Sequence, residues 1–145
     1  MVRCFRLVLL ALPWCLVTSP AAGYELLKTE LGKQVRWSPL PLRFKIHQAA
    51  PPGMSAVDFQ AAIRAAHQAW SNKACSKFAT QDLGVVDQPN PNDQDSINTH
   101  IFAVGNYPPE DADAAAMSYE YYWPETGQVL DADVMYNPAL KWSTT

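Results

Sequence analysis

One segment governs the folds open to this chain. Ser55–Lys73 carries the clearest helical periodicity, and it stands among short stretches that alternate or are rich in β-formers. Ser55-Ala56-Val57-Asp58 has the form of a capping box, in which the serine accepts a free N–H and the acid reaches back. Phe59, Ile63, Ala66 and Trp70 then recur at helical spacing as one apolar stripe, with Gln60, Arg64 and Gln68 facing away. A helix with one apolar face must bury it against another layer. A sheet supplies that layer here, with Phe59 and Trp70 as the buried anchors.

The sheet is read from the flanking segments. Arg43–Gln48 alternates, with Phe44 and Ile46 on one face and Arg43, Lys45 and His47 on the other. Lys77–Val86 is a second strand. Asp87–Ser96 is a polar Pro/Asn loop. Ile97–Val104 is a third strand, apolar on both faces near its end and therefore central. Ala116–Trp123 is a fourth by its aromatic content, and Val129–Tyr136 a fifth. Pro124-Glu125-Thr126-Gly127 between them is a turn, so these two strands form a hairpin, closed by Asn137-Pro138. Tyr24–Trp37 lacks periodicity and reads as an extended lead-in outside the core. The fold class expected is α+β: a twisted mixed sheet of about five strands with one long helix packed on it.

Residues 1–23 follow a different logic. Arg3 and Arg6 are their only charges, Leu7–Val17 is apolar, and Ser19-Pro20-Ala21-Ala22-Gly23 is small. That order is the one found in a Sec-type secretory signal peptide. An apolar run of about 11 residues is too short for a membrane anchor, which needs ~20. The remaining 122 residues carry nine Lys and Arg against fourteen Asp and Glu, a net charge of −5. An acidic, exported domain has no electrostatic reason to bind nucleic acid, so the expected location is secreted or periplasmic. Cys4 and Cys15 leave with the signal, and Cys75 is then either a buried free thiol or half of a disulfide whose partner is missing.

Chemistry-bearing motifs are few. There is no G-x-S-x-G, no phosphate-binding glycine loop and no paired C-x-x-C. His47, His67 and His100 show no metal-binding spacing, and His67 reads as a boundary residue of the helix stripe. Three acidic clusters stand out: Asp93-Gln94-Asp95, Glu110-Asp111-Ala112-Asp113 and Asp131-Ala132-Asp133, the last with both carboxylates on one strand face. Such oxygen donors suit calcium, although none fits the EF-hand loop, and solvated carboxylates are the plain expectation for each. Met117, Tyr119, Tyr121 and Trp123 share a face of the fourth strand. That face is either core or, if the strand is an edge, the lining of a peptide groove.

Three passages carry a family resemblance. They are the lead-in with the first strand (Tyr24–Thr29, Val35-Arg36-Trp37 and Arg43–His47), the helix Phe59–Trp70 running into Ser71–Phe78, and the hairpin Ser118–Asn137. The hairpin is the most specific, with an aromatic strand, a turn at Thr126-Gly127, then Asp131-Ala132-Asp133 and Asn137. Together these passages resemble the matrixin-like zinc metalloproteases of the metzincin clan, particularly secreted bacterial members. The resemblance implies a zincin-like upper subdomain over 24–145, incomplete, cut before the zinc helix. In that family three histidines of H-E-x-x-H-x-x-G-x-x-H hold zinc and the glutamate is the general base. No such motif occurs here, so zinc ligands are expected beyond Thr145 and these 145 residues alone are expected to be inactive. No cysteine-switch propeptide is seen. By resemblance, strand 116–123 is the edge that pairs with a peptide or protein substrate, with Met117, Ser118 and Tyr119 nearest the cleft. Asp131 and Asp133 brace a structural cation, such as calcium, or the following loop. The competing expectation is a noncatalytic exported module that binds peptide or carbohydrate.

Overall fold

The computed structural model describes residues 26–74, 77–91, 93–102 and 107–143. The segment expected to be a signal peptide and Cys75 lie outside them. The chain is a mixed α/β layer: one helix against a six-stranded, mostly parallel sheet. In order, the elements are β1 (Arg36–Trp37), β2 (Leu42–His47), α1 (Ala56–Ser71), β3 (Thr80–Val86), β4 (Asn98–Phe102), a 3₁₀ turn (Pro109–Asp111), β5 (Ala116–Tyr122) and β6 (Gln128–Tyr136). Parallel pairing runs β3-β2-β4-β6, with β1 parallel to the first residues of β6 and β5 antiparallel along its length. No helix among the described residues is long and apolar enough to cross a membrane.

The alternation in β2 does what its pattern requires. Leu42, Phe44 and Ile46 are buried, and they meet Phe59 and Ile63 of α1 in the main apolar cluster. β4 is central, flanked by β2 and β6 as its two-sided apolarity predicts. The opposite sheet face carries a smaller cluster, Ile101 and Met135 with Tyr107, Met117 and Tyr119. The strands differ from expectation at their ends: β3 begins at Thr80 rather than Lys77, and Ala103 and Val104 of the expected third strand lie outside the described residues.

Helix α1 starts where the cap places it. The Asp58 N–H donates to Ser55 Oγ at 3.1 Å, but the Ser55 hydroxyl itself donates to the Asp58 carboxylate, at 2.7 Å. Phe59 is buried, whereas Trp70 is 67% exposed and Ala66 is also exposed, which corrects the stripe. The sheet contact follows the row 59–63–67–71. Each i+4 step drifts about 40° around a helix of 3.6 residues per turn. By the last turn the sheet faces His67, stacked on Phe44 with ring centroids 3.8 Å apart, and Ser71, near Thr80. Arg64 leans toward β3 and pairs with Asp82 at 2.6 Å while staying partly exposed. Trp70 is left on the open side.

The lead-in also corrects its expectation, because it belongs to the sheet. Thr29 is buried, and its hydroxyl donates to the Pro124 carbonyl at 2.9 Å. The Arg36 N–H donates to the Gly127 carbonyl at 2.8 Å. Gly127 sits at φ +73°, and a Cβ there would lie 2.2 Å from the Gln34 carbonyl oxygen, so the turn needs glycine for two separate reasons. At the other end, Asn137 is buried, donates to the Ala112 and Ala114 carbonyls, and accepts from the Ala139 N–H. Trp142 folds back, donating its indole N–H to the Asn137 carbonyl and meeting Tyr136 edge-on.

Candidate functional site

β5 is an edge: among the described residues it pairs with β6 alone. Its register decides which backbone groups are open. The Asn137 N–H donates to the Ala115 carbonyl, so 115 and 137 form a hydrogen-bonded pair. In an antiparallel ladder such pairs recur every second residue. Met117–Met135, Tyr119–Asp133 and Tyr121–Asp131 follow in the same phase. The N–H and C=O groups of Ala116, Ser118 and Glu120 therefore point to the free edge. Of the three residues expected nearest a cleft, Ser118 offers its backbone outward. Met117 and Tyr119 direct theirs to β6 and their side chains to the apolar cluster of Ile101 and Met135. The aromatic face is thus partly core, while Trp123, already in the turn, is exposed.

On that same face, Asp131 and Asp133 are each 1% exposed. This overturns the expectation of solvated carboxylates at this cluster, whereas Asp93, Asp95, Glu110 and Asp113 are exposed as expected. Alternation along β6 turns 131 and 133 the same way. Ala132 between them donates its N–H to Asn98 Oδ1, and Asn98 Nδ2 donates to the Arg43 carbonyl. Asp133 Oδ1 accepts from the Thr99 N–H at 2.6 Å. Asp133 Oδ2 and both Asp131 oxygens have no hydrogen-bond partner in good geometry, although the backbone N–H groups of Ala132 and Ser96 approach Asp131 and oppose the rise in its pKa. Burial first, then the negative charge of Asp95, raises Asp131 to about 6. Burial likewise raises Asp133 to about 7, with Asp131 adding repulsion and the Thr99 N–H opposing it. One oxygen from each of Asp93, Asp131 and Asp133 lies within 4.8 Å of the others.

The opposite face holds a second polar cluster. His67 and His100, 33 residues apart, bring their Nε2 atoms to 2.8 Å. His100 Nδ1 is hydrogen-bonded to the Tyr136 hydroxyl at 3.0 Å. Burial, and then the neighbouring His67, depress His100 to about 4. Burial also lowers His67, against the raising influence of Asp82. His47 joins neither ring, facing the Phe102 carbonyl at 3.1 Å. His67 and His100 form a hydrogen-bonded chain with Tyr136 rather than a ligand set. Zinc takes mostly nitrogen and sulfur donors in groups of three or four. Among the described residues the one metal-ligand group is the all-oxygen triad, so the zinc implied by the resemblance finds no ligand set among them.

Several cavities lie on the α1 side of the sheet, and two of them adjoin the groups described above. One, of about 520 Å³, runs between α1 and the Tyr136–Trp142 pair, with Met54, Phe59 and Ile63 among its walls. The other, of about 280 Å³, reaches from His67 and His100 to Ser118 and Glu120 on the open-edge strand. Sequence reasoning missed the histidine pair and the burial of the aspartates, since both depend on distant pairings. The Asp-x-Asp spacing was the only available signal for the second. No family model, curated protein or solved structure matches the chain.

Proposed function

We propose that this chain is the substrate-aligning, zincin-like subdomain of a secreted, matrixin-like metalloendopeptidase, with the zinc ligands and general base supplied outside these residues. The observation that carries the reading is the antiparallel edge strand β5, whose residues Ala116, Ser118 and Glu120 turn backbone donors and acceptors outward. A peptide laid along them would gain main-chain hydrogen bonds independent of its sequence and would be held extended, the form a peptidase needs at a scissile bond. The second cavity begins at the same residues, giving an aligned peptide side chain a place to enter. The binding-module reading rests on a different observation, the absence of a nitrogen-donor set among the described residues.

The test begins with the reading frame past Thr145. An in-frame H-E-x-x-H supplies two zinc ligands and a base, and the protein carrying it should cleave an unfolded protein substrate in a zinc-dependent manner. In that protein, Ser118→Pro removes an outward N–H without touching the β5–β6 ladder. Cleavage should then be lost while the circular dichroism spectrum is kept. Normal turnover by Ser118→Pro overturns the edge-strand assignment. A reading frame without the motif overturns the peptidase and leaves the binding module.

A further inference from the structure

We propose that two copies of this chain join through β5, pairing their open edges antiparallel across a two-fold axis at Ser118. The proposal rests on the same edge that carries the peptidase reading, and the two occupants compete for it. The two ends of the sheet are built differently. β3, at the other end, pairs with β2 alone among the described residues, and its edge is blunted. Leu83 and Gly84 fall between the Phe44–Asp82 and Ile46–Val85 pairs, where β2 offers only Lys45, and Gly84 sits at φ +93°. Such a bulge breaks the row of donors and acceptors that a further strand would need. β5 has no such defence over residues 116–121. It pairs with β6 residue for residue as far as Tyr121 and carries no lysine, arginine or proline. Glu120 is its only charge. An undefended edge is a template for another strand, and a second copy brings the same strand.

The register follows from the phase of β5. Ala116, Ser118 and Glu120 turn their N–H and C=O groups outward. An axis at Ser118 sets Ser118 opposite its own copy, and Ala116 of each copy opposite Glu120 of the other. Each of these three pairs exchanges two hydrogen bonds, so every outward group of the three residues is used. An axis at Met117 or Tyr119 keeps only two such pairs within the three residues. Charge selects the same register. Each Glu120 faces an alanine, and the two Glu120 residues stand four positions apart along the ladder. That is about 13 Å, beyond the ~8 Å over which exposed charges act at physiological salt. An axis at Glu120 would set like charges face to face. On the far side of the sheet, Met117 of one copy meets Tyr119 of the other, a sulfur–aromatic contact. The two-fold closes on itself and leaves the blunted β3 edges outermost, so assembly stops at two.

Sedimentation velocity of the purified protein, from low-micromolar to millimolar concentration, should show monomer passing to dimer and no larger species. The joint is a single ribbon, so the dimer should depend on concentration. Ser118→Pro removes an outward N–H from both copies at once, and the dissociation constant should rise at least about thirtyfold. Ala116→Glu and Ala116→Lys alter an exposed residue and read the register. Glutamate opposite Glu120 should weaken the dimer and lysine should strengthen it, both effects fading in high salt. Should Ser118→Pro not fold, this pair of variants decides alone. A monomer at every concentration overturns the dimer and leaves the edge to substrate. A dimer that Ser118→Pro does not weaken overturns pairing through β5, and equal effects of the two Ala116 variants overturn the axis at Ser118. Normal peptide turnover by a Ser118→Pro protein that has become monomeric overturns the substrate reading and keeps the dimer.

Discussion

The two faces of the β4–β6 pair bury polar groups in opposite ways. On the α1 face, His67, His100 and Tyr136 form a chain that engages His67 Nε2, both His100 nitrogens and the Tyr136 hydroxyl. On the far face, Asp131 and Asp133 are buried more deeply, yet three of their four oxygens meet no partner in good geometry. Burial costs fall on both. The first cluster recovers them within the chain, by hydrogen bonds that tie the helix to the sheet. The second recovers them only by holding protons or by taking a ligand. Burial alone therefore does not separate structure from site; closure of the hydrogen-bond network does.

The largest expected effect tests the closed side. His100→Ala removes both hydrogen bonds, orphans His67 and Tyr136, and opens a hole beside Phe44, whose ring lies 6.0 Å from that of His100. A loss of about 4 kcal/mol is expected in urea unfolding. Asp131→Ala should by contrast cost far less, because the carboxylate is met only by the backbone N–H groups of Ala132 and Ser96, neither in good hydrogen-bond geometry. Equal losses at the two positions would erase the distinction between the faces.

Acidity sharpens the comparison, because the two clusters respond with opposite sign. His100 is held at about 4, so the unfolded chain takes up a proton near 6.5 that the folded chain refuses. Its contribution is constant above pH 6.5 and falls as the pH drops toward 4, by roughly 3 kcal/mol at the foot of that window. Asp131 and Asp133, raised to about 6 and about 7, keep protons that the unfolded chain gives up near 4. Their contribution is full below pH 4 and is lost as the pH rises to about 7. His100→Phe should therefore unmask a steady fall in stability from about pH 4 to 7. Urea midpoints across that range measure it. An acid-side fall that survives in His100→Phe would assign it to other groups.

What could be read from the residues was whatever neighbours in sequence decide. The Ser55 cap, the alternation of Arg43–His47, and the Pro124–Gly127 turn are local, and each appears where the pattern places it. The central position of β4 followed from its two apolar faces. What escaped was set by distant partners. Trp70 belongs to the helix stripe by spacing, but the stack of His67 on Phe44 and the Arg64–Asp82 pair roll that face away from the sheet. The lead-in looked irregular because its structure depends on Gly127 and Pro124, more than ninety residues on. Asp131-Ala132-Asp133 read as the wet side of a strand. Its burial requires β4 on one flank, β5 on the other and tyrosines across the ladder.

The smallest effect is the most selective, and it concerns the exposed member of the triad. Asp93 lies on the surface, so Asp93→Asn should change stability by no more than about 0.5 kcal/mol. A slight gain is expected, since its charge is among those that raise Asp131 and Asp133. The gain should be absent near pH 4, where both buried carboxyls hold their protons, and should appear as the pH rises to about 7 and they ionise. Urea midpoints of wild type and Asp93→Asn at the two ends of that range measure it. A gain of equal size at both ends would place Asp93 out of reach of the pair and leave Asp131 and Asp133 governed by burial and by each other.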